Sequence, residues 1–364
     1  MPTIEERIRE IEEEIRKTPY NKKTQHHIGR LKAKLARLRE ELISRGGGGG
    51  ARTEGIRKFG DASVALVGFP SVGKSTLLNK LTNVKSKIAE YEFTTLSVIP
   101  GMMKYNGADI QLIDLPGIIE GASIGRGRGK EILSVIRNMD LILIIVDALR
   151  IEQLGIIEDE LYKIGIRLNQ RRPDIKIERK HSGGIHIISN KNLKIKKELI
   201  KEILNEYKIH SADVTIHEEV DEEKIIDAIV GNRVYIPSII VINKIDLLDD
   251  LNSLNSIGEK IKREFIPISA KNGTNLDVLK DEIFRRLGFI RIYMKPPGKE
   301  ADMEEPLIMK SGSRIIDVCD KIHQDIKKGF RYARVWGNSV RFDGQIVGLE
   351  HEVKDGDIVT IITR

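Results

Sequence analysis

The chain has 364 residues, 40% of them hydrophobic and 32% charged, with 61 Lys plus Arg against 54 Asp plus Glu for a formal charge of +7. That length admits two to four compact units with at least one sizeable core, and the mild basic excess is compatible with an acidic partner such as RNA without requiring one. A single cysteine, Cys319, excludes an internal disulfide and suits a reducing compartment.

The longest apolar runs, such as Leu141 to Val146 and Ile236 to Ile242, are far shorter than the roughly 18 residues of a membrane span. Charge begins at Glu5 where a signal peptide would carry an apolar core. A cytoplasmic protein with no membrane role is expected.

Ile4, Ile8, Ile11 and Ile15 recur every three to four residues behind Thr3 and Glu6, which are spaced as a capping box, so the chain opens with an amphipathic helix. Leu31, Leu35, Leu38 and Leu42 stripe a second helix after the break at Pro19 and Asn21, and two such helices pack antiparallel. Eight basic and two acidic residues lie between Lys22 and Arg45. They read either as a solvated helix face or as an RNA-contacting hairpin.

Five consecutive glycines, Gly46 to Gly50, mark a flexible joint. Short apolar runs then alternate with helical patterns: Ala62 to Val67, Ile110 to Ile113, Leu141 to Val146 and Ile236 to Ile242 read as buried parallel strands. The fold class is α/β with a mostly parallel sheet. From about Tyr162 to Val234 the rhythm is interrupted by Lys- and Arg-rich strand-like pieces (Ile175 to Arg179, Ile185 to Ile188) and helix-like ones (Ile195 to Tyr207, Glu222 to Val230), an α+β insert. After about Ile290, one helical pattern over Ile315 to Ile326 lies between β-rich runs at Phe330 to Trp336 and Ile358 to Ile362. The expected division is a hairpin over 1–46, a central domain in two parts over 47–161 and 235–289, an insert over 162–234 and a mixed unit over 290–364.

Gly68-Phe69-Pro70-Ser71-Val72-Gly73-Lys74-Ser75 fits the phosphate-binding loop G-x-x-x-x-G-K-[ST], with a strand before it and a helix from Thr76 after it. Backbone N–H groups of such a turn cradle phosphate, a lysine reaches the β- and γ-phosphates, and the Ser75 hydroxyl suits Mg²⁺. Asp114-Leu115-Pro116-Gly117 follows the next strand, which places the Asp114 carboxylate at the sheet tip to hold the metal shell and the Gly117 amide to sense the γ-phosphate. The Gly-rich run Gly121 to Gly129 beyond it is expected to reorder on hydrolysis. Between the two motifs, Thr94 and Thr95 occupy the position where a loop hydroxyl meets Mg²⁺, Thr95 being favoured.

Asn243-Lys244-Ile245-Asp246 closes a further strand. The Asp246 carboxylate can accept both the N–H and the NH₂ of guanine, whereas adenine presents a bare acceptor there. Discrimination of roughly 10⁴ or more follows, because the wrong base leaves a buried carboxylate unpaired. Ser269-Ala270-Lys271 would support the base from behind with backbone amides. The constellation implies Mg²⁺-dependent binding and hydrolysis of GTP to GDP. The 129 positions from Asp114 to Asn243 also require an insertion.

GFPSVGKS, FTTL, DLPG, NKID and SAK together resemble the G domain of the Obg-related GTPases. The glycine run, the insert before NKID and the C-terminal unit are similar to the developmentally regulated GTP-binding protein family, a resemblance that covers essentially the whole chain. It implies a helical hairpin, a G domain, a ribosomal-protein-like insert and a β-grasp domain of the TGS type, in a ribosome-associated translation factor that binds no DNA. Ile118 follows D-x-x-G where many small GTPases carry a water-orienting glutamine, so intrinsic turnover is expected on the order of 10⁻³ s⁻¹ or less. Help from an activating partner is then expected. Some related GTPases use K⁺ in place of an arginine finger, held partly by a P-loop asparagine; Ser71 at the matching position argues against K⁺ here. Arg126 and Arg128 are candidate basic groups near the phosphates, with solvent exposure as the plainer reading.

In the C-terminal unit, Phe330, Tyr332 and Trp336 alternate with Arg331 and Arg334. Base stacking and a half-buried strand explain that pattern equally well. His26 and His27 have no ligand set at metal spacing. The reading that competes with a GTP switch is an RNA-binding or ribosome-assembly scaffold that holds GTP without productive hydrolysis.

Overall fold

The structure is a computed structural model and describes all residues apart from 1, 22, 46–58, 83–98, 116–127, 192, 249–250 and 364. Helix α1 (Ile4–Lys17) starts on the expected capping box: the Thr3 hydroxyl accepts from the Glu6 N–H at 3.2 Å and the Glu6 carboxylate from the Thr3 N–H at 2.7 Å. Two of the donors that a helix start leaves free are thereby satisfied. Helix α2 (Gln25–Arg45) packs its Leu31, Leu35 and Leu38 against Ile8 and Ile11 of α1.

The central domain runs β1 (Ala62–Val67), α3 (Lys74–Leu81), β2 (Ile99–Tyr105), β3 (Ala108–Asp114), α4 (Arg128–Ile136), β4 (Leu141–Asp147), α5 (Gln153–Lys163) and β5 (Ile166–Leu168). After the insert, formed by β6 (Ile175–Arg179), β7 (Ile185–Ser189), α6 (Lys197–Glu206), β8 (Ala212–Ile216) and α7 (Glu222–Val230), it resumes with β9 (Val234–Ile236), β10 (Ser238–Asn243), a 3₁₀ turn (Ile245–Leu247), α8 (Leu251–Ile261), β11 (Ile266–Pro267) and α9 (Leu276–Arg286). Six strands form one sheet in the order β11-β10-β4-β1-β3-β2, parallel throughout except for the β2–β3 hairpin. Every residue of β1 and β4 is buried, because apolar cores lie on both faces of the sheet.

One expected strand divides. The apolar run Ile236 to Ile242 is broken by Pro237, which has no N–H to donate to a ladder. Ile236 ends β9, which pairs with β5 as a two-stranded stem, while β10 joins the main sheet and the Pro237 carbonyl accepts from the Ile142 N–H at 3.0 Å. Leu161, Ile164 and Ile166 pack in the same core as β4, whereas the insert has a core of its own that also takes in Ala33 of α2.

A chain of charges joins hairpin, insert and stem. Asp227 on α7 accepts from Arg167 Nε and Nη2 at 2.6 and 2.7 Å and from Arg233 Nε at 3.0 Å, and Arg233 Nη1 reaches Glu40 of α2 at 2.6 Å. The Arg167 guanidinium lies 3.7 Å over the Tyr162 ring, whose hydroxyl donates to Glu223. Lys32 of α2 meets the same Glu223 at 2.8 Å, Arg37 donates to the Glu206 carbonyl and Arg39 pairs with Glu12. Three of the basic residues expected to face solvent or RNA therefore hold the protein's own acceptors.

The C-terminal unit comprises β12 (Phe289–Met294), β13 (Leu307–Lys310), α10 (Ile315–Ile322), α11 (Gln324–Gly329), β14 (Phe330–Trp336), β15 (Gln345–Val347) and β16 (Ile358–Thr363), with strand order β13-β12-β16-β14-β15. The helix expected over Ile315 to Ile326 is in fact two, broken at His323, whose extended backbone ends α10 while its ring accepts from the Asp325 N–H to start α11. Ala333 and Val335 of β14 face α10 in the core, while exposed Arg334 shares the other face with half-buried Tyr332 and Trp336, so the strand is half-buried through the residues between the aromatics and not through the aromatic row itself.

Candidate functional site

The C-terminal ends of β1, β3, β4, β10 and β11 converge, and every described motif lies there. Between β1 and α3 the chain turns through Ser71 (φ 63°) and Gly73 (φ 96°). A Cβ on Gly73 would stand 2.3 Å from Asn243 Nδ2, and one on Gly68 would stand 2.4 Å from the Ile145 carbonyl, so only glycine fits both positions. Gly73 supplies no side-chain cap to α3. The first N–H groups of the helix, at Lys74, Ser75 and Thr76, are left for an anion.

Lys74 Nζ donates to the carbonyls of Gly68 and Phe69 at 2.9 and 3.0 Å, bent over its own loop beside exposed Pro70. Burial pushes its ammonium below the usual lysine range, with the Asp114 carboxylate pulling the other way. Ser75 Oγ donates to Asp114 Oδ2 at 3.1 Å, while Asp114 Oδ1 is buried with no hydrogen-bond partner among the described residues. A hydroxyl beside a carboxylate with a free buried oxygen is a hard-cation donor set, suited to Mg²⁺. Thr94, Thr95, Gly117, Ile118 and Arg126 lie outside the described residues.

The base-recognition motif is braced from within. Asn243, 2% exposed, donates through Nδ2 to the Val72 carbonyl at 2.8 Å and accepts at Oδ1 from the Ala270 N–H at 2.9 Å. Its side chain ties the phosphate loop to the Ser269–Lys271 loop. Asp246 is exposed, and its Oδ1 accepts from Ser269 Oγ at 2.5 Å. Ser269 Oγ in turn accepts from the Asn272 N–H, so one hydroxyl orients the carboxylate that would read guanine.

Relatives extend over nearly the whole chain. A GTP-binding protein of Methanocaldococcus jannaschii is 56% identical across 99% of this chain and 93% of its own length. Developmentally-regulated G-protein 3 of Arabidopsis thaliana is 46% identical with 100% of both chains covered, and developmentally-regulated GTP-binding protein 1 of Xenopus laevis is 45% identical with 98% of both covered. The chain belongs to the developmentally regulated GTP-binding protein family. It is a GTP-binding protein and a GTP hydrolase with a P-loop G domain. Within this family member, residues 63–180 match the profile described as "50S ribosome-binding GTPase", 182–289 its C-terminal region and 290–363 the TGS domain. Among solved structures, the YchF GTPase of Schizosaccharomyces pombe aligns over 85% of this chain and 100% of its own at 16% identity, with a TM-score of 0.49.

One residue of the GTPase site escapes a motif search. Asp147, at the end of β4 and 8% exposed, accepts from Lys244 Nζ at 2.7 Å and from the Leu149 N–H at 3.0 Å. Burial alone would raise its carboxyl, but the Lys244 bond and then the Leu149 N–H outweigh that and hold it below the usual range. Lys244 has φ 64°, and Asp147 fixes where its stem runs beside the base loop. The register pair Asn243↔Asp147 in the β4–β10 ladder was the available clue.

A second hollow lies away from the crevice. A cavity of about 860 Å³ lies toward the N-terminal ends of β10 and β11, lined by Arg263, Arg285 and Arg286. Each of these arginines is bound to a carboxylate, of Glu158 or Glu282, so it offers no free cation to an anionic ligand. Among the described residues, no helix is long and apolar enough to cross a membrane.

Proposed function

We propose that this GTPase is a Mg²⁺-dependent switch of the cytoplasm that turns over GTP slowly unaided and reads out its state on ribosomal or other translational RNA. The observation that carries the reading is the Ser75–Asp114 pair with its free buried oxygen, set beside a lysine bent over the phosphate loop. Ser75 and Asp114 would hold the metal, joined by Thr95. Mg²⁺, when bound, neutralises charge on the β- and γ-phosphates. Lys74 exchanges its two carbonyl acceptors for phosphate oxygens, the Gly117 amide senses the γ-phosphate, and Asp246, oriented by Ser269, accepts from the guanine edge while the Ala270 and Lys271 backbone closes behind it.

Two findings support the ribosomal part: the description of the profile over 63–180 and the +7 formal charge. Ile118 in place of a water-orienting glutamine supports slow turnover. The test is single-turnover GTP hydrolysis with and without ribosomes, in Na⁺ and then K⁺ buffer, with EDTA as the metal-free arm. Slow basal turnover that ribosomes accelerate and EDTA abolishes is expected, with no difference between Na⁺ and K⁺. GTP retained but never cleaved under any condition would identify a scaffold instead.

A further inference from the structure

The five-stranded C-terminal sheet closes its core on one face only, where Ile290, Ile292, Val335, Val347 and Val359 pack with α10 and α11. Strand register fixes the other face. Tyr293, Ile358 and Trp336 form one row across it, Thr360, Arg334 and Ile346 the next, and Ile362 with Tyr332 the third. On the same face, toward β13, Arg291 pairs with Ile308 and Phe289 with Lys310. There the central domain covers it: Phe289 and Ile308 belong to an apolar core of the main sheet, and the Phe289 ring meets Phe284 of α9 edge-on at 5.4 Å. The three rows beyond are left without such a partner, with Arg334 exposed and its neighbour Ile346 58% exposed.

Those rows carry three aromatic rings and no carboxylate. Arg334 has no carboxylate within ion-pair reach among the described residues. Two further cations stand against the rings, the Arg331 guanidinium 5.9 Å over Tyr332 and Lys295 Nζ 4.8 Å over Trp336, and neither is paired with an acid among the described residues. Gly344 leaves room for the edge of the indole, since a Cβ there would stand 3.2 Å from Trp336 Nε1. Elsewhere the basic residues are engaged. The hairpin directs Lys32, Arg37 and Arg39 at acceptors of its own chain, and on the insert's sheet Lys176 and Lys180 meet Glu178 and Asp213.

Unpaired cations among aromatic rings, with no acid between them, suit a polyanion that also has flat faces to stack, which is a nucleic acid. An acidic peptide would use the cations and leave the rings idle. Tyr332 and Trp336 are four residues apart on one strand, about 13 Å, with Arg334 midway. Bases in a helix lie about 3.4 Å apart along each strand and cover one another, so platforms that far apart take only bases splayed out of any helix, as single-stranded RNA presents them. A stacked base gains more than an exposed cation does over the same ring. Arg331 and Lys295 therefore yield the ring faces to bases and turn to the phosphates.

From this arrangement we infer that the open part of the C-terminal sheet, centred on Tyr332, Arg334 and Trp336, binds single-stranded RNA by stacking, an assignment that rests on the RNA association proposed above and adds the surface and the form of RNA.

Trp336 is the only tryptophan of the chain, so its fluorescence reports on this surface alone. The full chain would be titrated with an unstructured RNA of about 12 nucleotides, within the site sizes of stacking binders, with binding read by filter retention and, in parallel, by Trp336 emission. Duplex RNA, single-stranded DNA and poly-glutamate serve as competitors. Binding should quench Trp336. Tyr332→Leu should weaken retention roughly five- to 150-fold, the loss of one stacked base, whereas Tyr332→Phe keeps the ring and should bind as the parent does. Arg334→Gln should lower the log–log salt slope by about 0.7, one single-strand phosphate contact. An unchanged Trp336 emission maximum without RNA reports that each variant keeps the sheet. RNA retained with Trp336 emission unmoved, or retained by Tyr332→Leu as tightly as by the parent, would overturn the surface while sparing the RNA reading. Tighter competition by duplex, single-stranded DNA or poly-glutamate than by the single-stranded RNA would overturn the ligand, and failure of the parent chain to retain any RNA would remove both.

Discussion

Two of the places where this GTPase buries charge resolve it in opposite ways. In the joint between hairpin, insert and stem, Arg167 and Arg233 converge on Asp227, and Glu40 accepts from Nη1 of Arg233. In the nucleotide crevice, Asp114 keeps one buried oxygen without a partner among the described residues and Lys74 donates to two carbonyls of its own loop. Opposite charges that meet one another fix three segments relative to one another; a carboxylate oxygen without a partner has bonding capacity to give to a ligand. Buried charge alone therefore does not locate the site, nor does a buried oxygen without a partner, which Glu160 and Asn232 also have among the described residues; the free Asp114 oxygen marks it because it stands beside Ser75 at the phosphate loop.

The largest expected effect breaks the joint. Asp227→Asn leaves Arg167 and Arg233, with side chains 4% and 6% exposed, without their shared counter-charge, at a cost of about 3–5 kcal/mol. Hydrogen exchange should quicken through α7 and the β5–β9 stem while GTP affinity per folded molecule holds. A loss under about 1 kcal/mol would show that the joint is screened by water and would undo the contrast with the crevice.

The opposite signature is expected at Ser75→Ala. Losing a hydroxyl that serves a charged partner costs about 1.5–3 kcal/mol, so calorimetry should find Mg·GTP binding weakened by roughly ten- to 150-fold. Stability without nucleotide should stay within about 0.5 kcal/mol of the parent. If nucleotide-free stability fell as far as it does for Asp227→Asn, Ser75 would be part of the scaffold and not of the site.

How much of this contrast the sequence discloses depends on how far apart the partners lie along the chain. The phosphate loop, D-x-x-G and NKID are legible because a ligand's geometry is met by residues within a few positions of one another, and the opening helix because Thr3 and Glu6 are only three apart. The joint is invisible: Arg167 and Asp227 are 60 positions apart and Arg233 and Glu40 are 193 apart, and each looks like any surface charge until the fold brings them together. The run Ile236 to Ile242 misleads for a related reason. Its hydrophobicity reports burial, but only Pro237 reveals that two different sheets do the burying.

Asp147 lies between the two extremes and gives the smallest effect. It is nearly buried like the joint, yet its partner Lys244 belongs to the guanine-reading motif, so it ought to act on nucleotide residence more than on the fold. Asp147→Asn keeps the side-chain shape and the acceptor for the Leu149 N–H but removes the charge that holds Lys244. The weakened bond is worth about 1 kcal/mol, roughly a fivefold faster GDP release. Lys244→Met should quicken release by more, since it removes the stem's charged end as well. If Asp147 acts through Lys244, the double variant will release GDP no faster than Lys244→Met alone, a coupling of at least about 0.5 kcal/mol. Fully additive effects on the release rate would mean that Asp147 steadies the end of β4 by itself and has no part in positioning the base-side lysine.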